Sequence, residues 1–136
     1  MYFIYCREKN YKEIIIHPHS SANNGRAFLV DIVFIYDVEL SAMYMEMSTD
    51  DYFKNYEMQQ RENPVSLVIS HHCFIPGQPS QKILLNIKTS PNLVNCIMFC
   101  RLQSNNRIPK KTIIGNAQSV IVKINNNGVY LEQKES

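Results

Sequence analysis

Tryptophan is absent from this chain, and its four glycines are too far apart to build a phosphate-cradling loop, which excludes nucleotide chemistry of the glycine-rich kind. No apolar run approaches the roughly 20 residues of a membrane-spanning helix. Charge of one sign is also lacking: 14 Lys and Arg stand against 12 Asp and Glu, for a net charge of +2. The basic residues are scattered, apart from Arg107 and Lys110-Lys111, and such a chain has no polyanion footprint, so no nucleic-acid partner is expected. Four cysteines and four histidines fall into neither CxxC nor HExxH spacing, the patterns that make a zinc site specific. What is present is length: 136 residues fold as one domain that buries roughly 70% of the unfolded surface, so neither disulfide nor metal is required.

The most informative stretch is Phe28 to Tyr36, FLVDIVFIY. Alternation puts Phe28, Val30, Ile32, Phe34 and Tyr36 on one face and Leu29, Asp31, Val33 and Ile35 on the other, the pattern of a central strand buried on both sides. Before it, Lys12 to His17 reads as a strand that Pro18 confines to an edge or a strand end, since proline donates no amide hydrogen. Ser20 to Arg26, SSANNGR, is predicted to be a polar, exposed loop. Val38 to Met47 reads as a mixed, methionine-rich connection; Ser48 then caps a predicted helix from about Thr49 to Arg61, with Asp50 and Asp51 at its positive end and Asn63-Pro64 closing it. Tyr52, Phe53 and Tyr56 lie at helical spacing and are predicted to pack that helix on a sheet. From Val65 onward β texture returns, broken at Pro76-Gly77, at Ser90-Pro91-Asn92 and across the polar Gln103 to Thr112 segment, and ends in a hairpin around Asn125-Asn126-Asn127-Gly128. The predicted fold class is mainly β: a two-layer antiparallel β-sandwich with a short helical insertion. A segment of residues 1–11 precedes a single domain over 12–136, with the insert at about 38–62.

Candidate chemistry is weak throughout. His17 and His19 share a strand face and His71-His72-Cys73 run in a row, yet polar strand ends explain both, and no metal is assigned. Cys73 and His72 are adjacent and so point to opposite faces, which is wrong for proton transfer; Asp31 and Asp37 are separated along the strand, and Asp31 fits a sheet margin equally well. No catalytic residue and no cofactor is expected. Cys96 and Cys100 are too far apart to bridge each other, so each is either a buried free thiol or a partner for Cys73. The methionines and tyrosines from Asp37 to Tyr56 are either helix-packing material or a soft binding surface. Cys6 follows an aromatic-apolar scrap of five residues and is either an ordinary cysteine or the lipidated residue behind a shortened lipoprotein signal.

Ala22-Asn23-Asn24-Gly25-Arg26 leading into Phe28 to Tyr36, the Asp51-Tyr52-Phe53 segment, Phe74-Ile75-Pro76-Gly77-Gln78, and Val94 to Arg101 occur in this order. In that order the chain resembles the TssJ family, the outer-membrane lipoproteins of type VI secretion systems, over about residues 12–132. The resemblance implies a transthyretin-like β-sandwich with an added helical piece. It implies an acyl anchor at Cys6 on the periplasmic face of the outer membrane, and docking to the periplasmic domain of a TssM-type inner-membrane protein. The matching contact residues are Ser20, Ser21, Ala22, Asn23, Asn24, Gly25 and Arg26. The alternative, motivated by the incomplete signal, is a soluble, cytoplasmic β-sandwich adaptor or ligand-binding protein unrelated to secretion.

Overall fold

A computed structural model describes residues 11–86, 92–103 and 107–135; Cys6 and most of the Ser90-Pro91-Asn92 break lie outside them. The described elements are β1 (Tyr11–Pro18), β2 (Phe28–Ile35), α1 (Val38–Glu46), α2 (Thr49–Glu62), β3 (Leu67–Phe74), β4 (Gln81–Asn86), β5 (Asn95–Arg101), β6 (Lys111–Ile113), β7 (Ser119–Asn125) and β8 (Gly128–Glu135). They form two four-stranded sheets, in the orders β4-β1-β7-β8 and β3-β2-β5-β6. All pairings are antiparallel except β1 with β7, which runs parallel, with Ile14 opposite Val120 and Ile16 opposite Val122. Strand β1 is therefore interior to its sheet and not an edge. Pro18 is accommodated because it ends the strand, where its carbonyl accepts from the Gly77 amide at 2.9 Å.

Both faces of β2 are buried from Val30 to Ile35, as its alternation requires, while Leu29 near its start is exposed. Val30, Ile32 and Phe34 join Met98 of β5 and Ile14, Ile16, Val120 and Val122 of the other sheet in the inter-sheet core. Val33 and Ile35 turn the other way and join Ile97, Phe99, Tyr44 and Tyr52 in a second core beneath the two helices. Cys96 and Cys100 sit fully buried on the inter-sheet face, where burial pushes the Cys96 thiol up to about 12 and the Cys100 thiol higher still. Cys73 is exposed on the helix-side face of β3, so the sheet separates it from them and all three thiols are free.

Helix α2 begins as its sequence dictates: the Asp51 amide donates to Ser48 Oγ at 3.1 Å, and Asp50 and Asp51 occupy the first turn. Its aromatic stripe packs inward, with Tyr52 stacked on Phe99 at 4.2 Å between ring centroids. The preceding segment, read as a mixed, methionine-rich connection within the insert, is the nine-residue helix α1. Asp37 caps it by accepting from the Leu40 amide at 2.9 Å, and Lys111 Nζ closes its far end by donating to the Tyr44, Met45 and Met47 carbonyls at 2.7–2.8 Å. Tyr44 and Tyr52 are thus core, whereas Met43, Met45 and Met58 remain exposed.

The acid inside β2 is not at a sheet margin. Asp31 lies mid-strand, 3% exposed, and accepts from Tyr52 Oη at 2.7 Å and from His71 Nδ1 at 2.9 Å. It pins α2 and the neighbouring strand β3 to the central strand. Burial and this carboxylate push the Tyr52 phenol far above its ordinary value. On the other face of β3, His72 Nε2 lies 2.7 Å from Ser70 Oγ, and burial lowers the His72 pKa from 6.5, against the raising influence of Asp31. The unfolded chain therefore binds more protons than the folded one just below the ordinary histidine pKa, so stability is lost as pH falls through about 6.5. His72→Gln is expected to flatten that part of the urea-midpoint profile between about pH 7 and about pH 5; an unchanged slope contradicts the assignment.

Candidate docking surface

The loop between β1 and β2 is built by three consecutive residues with positive φ: Asn23 at 51°, Asn24 at 55° and Gly25 at 79°. Asparagine and glycine tolerate this region at least strain, which is why ANNG can reverse the chain so tightly. The reversal is held from inside. Asn23 Nδ2 donates to the Arg26 and Ala27 carbonyls, both at 3.1 Å, and its Oδ1 accepts from the Gln103 amide at 2.6 Å. Ala22 is part of the inter-sheet core, and Asn23 is 3% exposed.

The loop is therefore only partly the free surface its polar sequence suggested. Ala22 and Asn23 face inward and cannot present side chains to a partner, while Ser20, Asn24, Gly25 and Arg26 are exposed. Ser21 is half-buried and works within the loop. Its amide donates to His19 Nδ1 at 3.0 Å, and its hydroxyl oxygen accepts from the Asn126 amide at 3.2 Å. Arg26 Nη1 donates to Gln103 Oε1 at 3.3 Å, so the loop also leans on the segment leaving β5. Asn23→Ala is expected to destabilise the fold by about 1–3 kcal/mol, because it strands the Gln103 amide and frees two carbonyls. Chemical denaturation checks this, and a shift near zero would show that the inward contacts do not hold the loop.

The other candidates are dispersed. His17 Nδ1 contacts Ser80 Oγ, His71 is engaged by Asp31 and His72 by Ser70, and no group of three metal-ligating side chains is found among the described residues. Asp31 and Asp37 serve a buried network and a helix cap respectively, so they do not form an acid pair. An open cleft of about 500 Å³ lies beside the loop, bordered by His17, His19, Ser20, Gln78, Lys123 and Glu132. No described helix is long and apolar enough to cross a membrane.

These features define a rigid two-sheet sandwich carrying helices on one outer face and a strained, half-anchored loop at one end. In architecture it is similar to two solved bacterial proteins. One is Lip of Serratia marcescens, described as a membrane-bound component of the type VI secretion system (TM-score 0.72, 9% identity, covering 93% of this chain and 99% of that one). The other is the type VI secretion lipoprotein TssJ1 of Pseudomonas aeruginosa (TM-score 0.71, 10% identity, 94% and 98%). A TssM C-terminal domain from EAEC is also similar (TM-score 0.63, 9% identity, 89% and 98%). No family model and no curated sequence matches the chain. The fold is that of the TssJ lipoproteins, as the order of motifs led one to expect.

Proposed function

We propose that this protein is a structural component of a type VI secretion trans-envelope complex. In this reading it docks the periplasmic domain of a TssM-type inner-membrane protein through the exposed part of the β1–β2 loop, and acts without turnover. The observation that carries the reading is the likeness to Lip and TssJ1, which spans nearly the whole of all three chains. Physical support comes from the loop itself: positive-φ backbone and inward hydrogen bonds fix its shape before any partner arrives, which reduces the ordering entropy of association. Cys6 is the proposed acyl anchor to the outer membrane.

The docking test follows the burial pattern. Ser20→Glu combined with Arg26→Glu alters only exposed positions and is expected to weaken binding of the purified chain to a TssM-type periplasmic fragment by about tenfold or more in calorimetry. Asn23 is left intact so that lost binding is not lost folding. Wild-type affinity in this variant would overturn the docking reading. The cleft beside Ser20, bordered by two histidines, a lysine and a glutamate, favours the ligand-binding alternative; there a small polar ligand would occupy it and the wild-type chain would not bind the fragment.

A further inference from the structure

Three cations that lie far apart in sequence meet on the folded surface. Lys54 of α2, Arg101 at the end of β5 and Lys110 before β6 border a cleft of about 260 Å³, together with Thr49, Asp50 and Phe53. The Arg101 guanidinium lies over the Phe53 ring, 5.6 Å from its centroid, which fixes its position on the cleft wall. No ion pair to Lys54, Arg101 or Lys110 is found among the described residues. The cleft carries three positive charges against the single carboxylate of Asp50.

Its place in the fold joins it to the docking loop. Arg101 is opposite Leu29 at the start of β2, and two residues further on Gln103 takes the contacts from Asn23 and Arg26. We infer that the docking surface continues from the loop into this cleft and that its occupant is an acidic segment of the partner protein, with Asp or Glu side chains set against Lys54, Arg101 and Lys110. Charge complementarity names the occupant. Asp50 within the cleft repels a dense phosphate array more than it repels single carboxylates spaced along a chain, which favours an acidic peptide over an anionic membrane surface. The inference rests on the docking reading for the identity of the partner.

The test uses a fluorescent hexaglutamate peptide and the full chain, read by anisotropy at about 50 mM and about 500 mM salt. Wild type is expected to bind at low salt and to release the peptide at high salt. Arg101→Glu with Lys110→Glu is expected to lower the affinity at least about tenfold, whereas Arg61→Glu, at the opposite end of α2, leaves it within about twofold. Lys54→Gln with Lys110→Gln preserves the Arg101–Phe53 contact and gives the same readout should the first variant unfold. Absent binding by wild type, equal binding by both cleft variants, or preferential binding to vesicles rich in anionic lipid through these same residues overturns the inference. The two proposals separate cleanly. Capture of the TssM-type fragment by the cleft variants as well as by wild type removes the cleft alone. Failure of wild type to bind that fragment, with hexaglutamate binding intact, removes the partner and leaves the cleft's chemistry standing.

Discussion

Asp31→Ala is expected to lower the unfolding free energy by about 3 kcal/mol, measured by urea denaturation at neutral pH. The change strands the Tyr52 hydroxyl, which donates to Asp31, in the core beneath the helices, and removes the acceptor that holds His71. It also leaves a cavity where a carboxylate filled space. Asp31→Asn is expected to recover most of that loss, because an amide oxygen still accepts from Tyr52 and the fit is kept. Tyr52→Phe should be costly in the wild type, since a buried carboxylate loses a donor, and much less costly once Asp31 is alanine. A coupling energy of about 1–2 kcal/mol in that double-mutant cycle is the signature of the pair. A loss under about 1 kcal/mol for Asp31→Ala would mean that the network does not fasten the helix to the sheet.

Gly128→Ala is expected to be as damaging for a different reason. An added methyl there would stand 2.4 Å from the Pro109 carbonyl oxygen and 2.8 Å from Pro109 Cδ, at a backbone φ of +112°. The Pro109 carbonyl also accepts from the Val129 amide at 3.0 Å, so the strand cannot retreat without losing that bond. Overpacking and strain together point to about 3 kcal/mol or more. Gly25→Ala is the control: its φ is +79°, but nothing lies within 4 Å, so only backbone strain of about 1 kcal/mol applies. Similar midpoints for the two alanine variants would show that contact with Pro109 is not what requires glycine.

Gly128 also shows what could be read before folding. The Asn-Asn-Asn-Gly run marked a hairpin, and Asn125 does pair with Gly128, because turn chemistry is local. Strand β2 and helix α2 were legible for the same reason: alternation and a serine cap are written in neighbouring residues. Helix α1 was not, because methionine obscures the apolar period and its terminal cap is Lys111, more than sixty residues away. The parallel pairing of β1 with β7 and the burial of Lys12, whose ammonium reaches the Gly115 and Ala117 carbonyls, depend on contacts between remote segments.

The candidate site divides along the same line. Positive-φ tolerance in Asn-Asn-Gly was visible, so the position and tightness of the loop were too. The inward turn of Ala22 and Asn23 was not, since it depends on Gln103. The cationic cleft was hidden altogether: Lys54, Arg101 and Lys110 look scattered until β5 and α2 pack together.

Hydrogen–deuterium exchange on the chain, alone and with a TssM-type periplasmic fragment, tests the proposed docking most directly. The account predicts new protection at Asn24 to Ala27, at Arg101 to Gln103 and at Lys110, with the strand β4 and strand β8 edges unchanged. Protection confined to those edges, or none at saturating fragment, would contradict it.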